Sequence, residues 1–185
     1  MIKCKILLLL SMLLTSFFTV AGEAHVHGVA TLQLALDDSL LHLNLSSPLD
    51  SLLGFEHLPR TEKQKAAVRH MADQLRQAER LFQPTLAARC TLKTYSLESP
   101  VLETGKHKGH DQKGHDHEGD NHEGHDHTDL NAEFVFYCAK PNELRDLEIN
   151  LFSYFPGLLR LKTEAATPRG QSAAILTPSK RRITW

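Results

Sequence analysis

Neither sign of charge dominates this chain: 21 Lys and Arg face 22 Asp and Glu, for a formal net charge of −1. So even a balance gives no electrostatic footing for nucleic acid or for an anionic membrane surface. Aromatic residues are scarce at 6%, yet 41% hydrophobic residues suffice for a core, which excludes a wholly disordered chain. Three cysteines are too few for a disulfide-scaffold protein. Beyond the first twenty-odd residues no long apolar run occurs, which excludes a multispan membrane protein. Catalytic signatures are missing as well. His122-Glu123-Gly124-His125 has the wrong spacing for a helical zinc pair with its base, and neither a Gly-x-Ser-x-Gly elbow nor a Cys-x-x-Cys pair occurs. Histidine, by contrast, is abundant: 12 in 185 residues, most of them between His107 and His127. The composition points to metal, on a chain of single-domain length.

Lys3 and Lys5 precede an uncharged stretch over 6–21, followed by the small residues Ala21, Gly22 and Ala24. Its strongly apolar part is shorter than the ~20 residues a membrane-spanning helix needs. Residues 1–21 therefore read as a cleavable secretory signal, with cleavage after Ala21, Gly22 or Ala24, and 22–185 as one domain with no stable membrane insertion. Cys4 lies ahead of the apolar run, the wrong side for a lipoprotein modification. An exported chain keeps Cys90 and Cys138 in an oxidising compartment, where a disulfide is the simplest fate and a metal–thiolate pair the alternative. That bridge would close a loop of about 49 residues, worth about 4 kcal/mol on the chain-entropy estimate.

From His25 to Leu36 the chain alternates, with Val26, Ala30, Leu32, Leu34 and Leu36 on one face and His25, His27, Thr31 and Gln33 on the other. Asp37-Asp38-Ser39 supplies a turn, after which Leu41, Leu43 and Leu45 resume the apolar face. Keeping both leucine rows inside sets His42 opposite Ala35, on the solvent side and too far along the strand to share an ion with His27. Thr61 and Gln64 form a capping box. They open an amphipathic helix whose stripe, Val68, Met71, Leu75, Ala78 and Phe82, runs on until Pro84, with His70 off the stripe. Cys90, Leu92 and Thr94 mark a third strand. Residues 100–131 show no periodicity and few apolar side chains, and order resumes at Ala132 with the buried-looking Phe134–Cys138 run. Strands around Leu147–Leu151, 159–165, 172–177 and 182–185 follow. The fold class is α+β: a mostly antiparallel sheet with one long amphipathic helix and a disordered histidine-rich loop at about 103–130.

In that loop His107, His110, His115, His117, His122, His125 and His127 are interspersed with Asp111, Asp116, Glu118, Asp120, Glu123 and Asp126. Neutral imidazole binds zinc, copper and nickel, and carboxylates add oxygen ligands or acceptors for the ring N–H. Zinc is the expected metal, with copper(II) and nickel(II) as alternatives. Such a chain collects several ions at moderate affinity, since ordering it costs entropy with each ion. A second candidate is His25-Val26-His27: two imidazoles at i and i+2 on one strand face grip an ion once further ligands approach. Glu56 and His57, polar residues in an otherwise apolar loop, are the expected partners, or else a histidine of the insert. His57 could equally pack on Phe55.

The run Ala24-His25-Val26-His27-Gly28, then Ser47-Pro48, Gly54-Phe55-Glu56-His57, the Cys90/Cys138 pair around a His/Asp tract, Phe155-Pro156-Gly157 and Thr167-Pro168-Arg169-Gly170-Gln171 resembles the zinc-regulated periplasmic proteins of Gram-negative bacteria, long known only as a domain of unknown function. The resemblance spans essentially the whole mature chain. It implies an α/β-sandwich, a periplasmic location, zinc binding, and production under zinc limitation beside an inner-membrane uptake system whose transporter components would be the partners. The expected function is thus non-catalytic: capture of zinc by the loop and a strand-borne histidine site, followed by transfer to the transporter. A metal-tolerance buffer or sensor is the alternative, and a metal-dependent hydrolase a more distant one.

Overall fold

A computed structural model of the chain describes residues 26–103 and 128–185. The N-terminal stretch read as a signal, His25 and all seven histidines of the insert lie outside the described residues.

The opening hairpin follows from its alternation. Strands β1 (Val29–Asp37) and β2 (Leu40–Pro48) pair antiparallel with Ala35 opposite His42, as the leucine rows require. Asp38 turns the chain at φ 48, a left-handed conformation that Asp tolerates better than most residues. Leu32, Leu41 and Leu43 are fully buried, while Gln33 and Asn44 face out. Strand β5 (Asp129–Cys138) pairs antiparallel with β2, and β4 (Cys90–Glu98) with β5. On the other side β7 (Arg160–Thr167) runs parallel to β1, and β8 (Gly170–Leu176) closes the sheet antiparallel, giving the order β4-β5-β2-β1-β7-β8. A second sheet of three short strands has the order β3 (Phe82–Pro84), β6 (Asp146–Ile149), β9 (Arg182–Thr184). The core joins the two sheets: Phe82 of the small sheet meets Phe134 of the large one with ring centroids 5.0 Å apart. The architecture is the expected α+β, sandwich-like arrangement.

The helices are α1 (Leu49–Leu53), α2 (Glu62–Leu75), α3 (Ala78–Leu81), α4 (Pro100–Glu103) and α5 (Leu151–Tyr154). Thr61 caps α2 through the reciprocal bonds of a capping box with Gln64, and Val68, Met71 and Leu75 form its buried stripe. The continuous helix to Pro84 is not found. Gln77 breaks it, α3 follows, and Phe82–Pro84 leaves helical geometry to pair with Leu147–Ile149 of β6. Ala78, Leu81 and Phe82 stay buried, so the apolar stripe was a true core signal carried by two elements. Val26 also departs from expectation: it precedes β1 and is 53% exposed.

The insert is narrower than 103–130, because α4 extends to Glu103 and β5 begins at Asp129. Cys90 and Cys138 face each other across β4 and β5 and are joined by a disulfide. Since both strands run between that bridge and the insert, the bridge sits at the far end of the hairpin, roughly 26 Å of strand away. The roots of the insert are held instead by the Glu98–Asn131 end of the ladder and by α4, whose Val101 is buried.

Candidate metal site

Four of the sequence runs quoted above meet at one end of the large sheet, those at 24–28, 47–48, 54–57 and 155–157. There β1 and β7 begin, β2 ends in α1, and β5 starts. His27 lies in a turn closed by the Val29 N–H donating to the Val26 carbonyl at 3.1 Å. Gly28, at φ +76, supplies the left-handed residue that the turn needs. Its carbonyl accepts from the Leu159 and Arg160 N–H groups at 2.8 and 2.9 Å, which fixes the turn on the start of β7. The expected His-x-His pair on a strand face is therefore corrected for His27: the strand starts at Val29, and the i/i+2 geometry does not apply to it.

Pro48 leads into α1, and Gly54 ends it in the left-handed conformation at φ 78, with its N–H on the Asp50 carbonyl at 2.8 Å. The chain then folds back so that Phe55, Glu56 and His57 pass beside the His27 turn. Ser51, buried in α1, accepts the Gly28 N–H on its hydroxyl at 3.0 Å. Neighbours of Ser51 and of Gly28 are thereby brought face to face. His27 Nδ1 is 3.4 Å from Asp50 Oδ2 and its Nε2 is 3.0 Å from Glu56 Oε1. The imidazole is 62% exposed, whereas the two carboxylates are 30% and 18% exposed, so the ring is reachable and the acids lie behind it.

This geometry has a chemical consequence. Carboxylates only accept hydrogen bonds, so both contacts are satisfied at once either by a ring carrying two N–H groups or by a cation replacing the proton at one nitrogen. A ring that donates Nδ1–H to a carboxylate and turns Nε2 to a metal is the carboxylate–histidine–zinc arrangement, in which the carboxylate orients the ring and raises its basicity. Asp50 lies on the Nδ1 side of the ring at 3.4 Å, and Glu56 on the Nε2 side at 3.0 Å.

His57 is adjacent in sequence but differently engaged. Its Nδ1 donates to the Leu58 carbonyl at 2.8 Å, and its ring lies 5.3 Å from that of Phe55. That bond leaves the Nε2 lone pair available, without bringing His57 onto His27. His42 lies beside Glu133, with 3.9 Å between Nδ1 and Oε1, on the outer face of the sheet, and His70 is exposed on α2. Among the described residues no group of three or more His, Cys, Asp or Glu side chains is arranged to enclose an ion. The described part of the site thus brings one exposed imidazole against two carboxylates, those of Asp50 and Glu56.

Asp50 and Ser51 were not among the residues singled out from the sequence. Asp50 reads as an ordinary acid in the first turn of a helix, and nothing in its spacing ties it to a histidine more than twenty positions earlier. Gly157 is similarly explained only in three dimensions: a Cβ there would stand 2.8 Å from the Ser51 carbonyl. We expect Gly157→Ala to push α1 off its seat. The cost would be about 1–3 kcal/mol, as for other overpacked contacts, measurable as a lowered urea midpoint.

No curated protein sequence matches the chain. A family model described as "ZrgA family zinc uptake protein" matches residues 24–185.

Proposed function

The chain belongs to the ZrgA family of zinc uptake proteins, and on that premise we propose that it is a non-catalytic periplasmic carrier that collects zinc and passes it to an inner-membrane transporter. Two tiers divide the work. The histidine-rich insert, with His107, His110, His115, His117, His122, His125 and His127, gathers ions at moderate affinity. The turn site holds one ion more tightly, through His27 Nε2 and Glu56, with Asp50 orienting the ring. His25, His57 or a histidine of the insert completes the coordination.

One observation supports the reading: both nitrogens of an exposed imidazole face carboxylates, at 3.4 Å for Asp50 and 3.0 Å for Glu56. A closed structural zinc site has four protein ligands. His27 and Glu56 would supply two of them, with the rest drawn from His25, His57 or the insert. The end of the insert supports the same reading, because Thr128, which directly follows His127, donates its hydroxyl to the Glu56 carbonyl. Copper(II) and nickel(II) would compete for the same imidazoles.

The test is a zinc titration by calorimetry, with stoichiometry by elemental analysis, on the mature chain and on a variant lacking 105–127. Loss of several moderate-affinity ions with one tighter ion retained is the expected result. If the shortened chain binds no zinc, the turn site is surface decoration and the body only a scaffold for the insert. Growth of a strain lacking the protein separates uptake from tolerance: failure under chelation is expected, and failure under excess zinc alone would favour a buffer.

A further inference from the structure

The turn site is assembled from the His27 turn and the stretch 49–56, and the two ends of that stretch are joined by one distant residue that neither chelates nor lies in the core. Thr128 precedes the first residue of β5. Its hydroxyl donates to the Glu56 carbonyl, and its own carbonyl accepts the Leu49 N–H at 3.1 Å. Leu49 is the first residue of α1 and the covalent neighbour of Asp50, the carboxylate on His27 Nδ1; Glu56 is the carboxylate on Nε2. A single residue therefore spans both arms of the carboxylate pair. Between those arms the chain turns at Gly54, with Leu53 and Phe55 packed at the edge of the core.

The geometry points to Thr128 as the positioning residue of the zinc site: it sets the spacing between Asp50 and Glu56, so that His27 meets one carboxylate on each nitrogen. The inference rests on the proposed zinc-binding role of His27 and Glu56. Its physical basis is pre-organisation. Without the hydroxyl the Glu56 loop has more conformations to lose when an ion is bound, and affinity falls although every ligand is still present. The Leu49 bond to the Thr128 carbonyl is a backbone bond and survives substitution, so the two arms are separable. The braced carbonyl also makes the site answer to the last residue before β5, which follows the final histidine of the insert in sequence.

The experiment uses the full mature chain with zinc as the probe, in Thr128→Val, Thr128→Ser, His27→Ala and Glu56→Gln variants. Tight-event affinity is read by calorimetry, and the His27 ring resonances are read by NMR at one equivalent of zinc. Thr128→Val should weaken the tight event roughly 10-fold, the lower end for loss of an orienting partner. The moderate events and the thermal midpoint should stay near those of the parent. Thr128→Ser, which keeps the hydroxyl, should bind within about threefold of the parent. Equal weakening by Ser and Val, or a Val variant within twofold of the parent while His27→Ala removes the event, would overturn the role of Thr128 alone. If His27→Ala and Glu56→Gln also leave the tight event intact, the zinc site itself falls, and this inference with it.

Discussion

Replacing His27 with alanine is expected to remove the tight zinc event from the titration while leaving the moderate events of the insert in place. In the proposed site His27 and Glu56 are the two donors among the described residues, and this substitution deletes the nitrogen one, together with the ring that Asp50 faces. The effect should therefore exceed the 10–100-fold loss that follows from removing an orienting group. Asp50→Asn gives the measure within the same protein. It keeps an acceptor near Nδ1 but loses the charge, and it should weaken the event by about tenfold, toward the lower end of that range. The fold should notice neither change, because His27 is exposed and its turn is fixed by the backbone bonds of Gly28 to Leu159, Arg160 and Ser51. A titration in which His27→Ala and the parent are superimposable would remove the histidine turn from the zinc chemistry altogether.

Much of the fold was legible because alternation and caps are local. The register of the first hairpin followed from two leucine rows, since a slip by one residue would have turned both to solvent. The capping box at Thr61 and Gln64 marked the start of the long helix to the residue. Its end was not legible. The stripe through Ala78 and Phe82 kept helical spacing, and only the demand of β6 for a neighbour, 65 residues further on, drew Phe82–Pro84 into a strand. The parallel pairing of β1 with β7 was equally out of reach, because no local pattern records which strand lies beside which.

The site shows the same division. The histidines and the Gly-Phe-Glu-His run read as metal-binding candidates, and the structure sets His27 beside Glu56. What brings them together, however, is supplied by Asp50, Ser51, Thr128 and Gly157, each ordinary in its own segment. Their roles arise from contact across 23 residues between Gly28 and Ser51, and across 72 between Glu56 and Thr128. Val26 and the supposed strand at His27 were misread for a related reason. Alternation in sequence continued past the point where Gly28, needed for its positive φ, ended the strand.

The disulfide provides the other large effect, and its position predicts that stability and zinc binding will come apart. Cys90 and Cys138 are separated by 48 residues, for which loop-closure entropy alone gives about 4 kcal/mol. Against the roughly 5–15 kcal/mol that holds a typical domain folded, that is a large share. The Cys90→Ala, Cys138→Ala double variant should lose about this much in urea unfolding, at an unchanged slope if the native surface is unaltered. Alanine is the suitable replacement because Cys138 is fully buried and a serine hydroxyl there would need a partner. Removing 105–127 roughly halves the loop, and each halving takes only about 0.6 kcal/mol from the worth of the bridge. The shortened chain should therefore keep most of the disulfide's contribution, and a loss far smaller than that in either background would mean that the bridge acts through the native ladder rather than on the unfolded chain. Because the bridge closes the end of the β4–β5 hairpin opposite to Thr128, the folded double variant should bind its tight zinc ion as the parent does. A weakened tight event at temperatures where the variant is fully folded would show instead that β5 transmits strain along its length to the Glu56 loop.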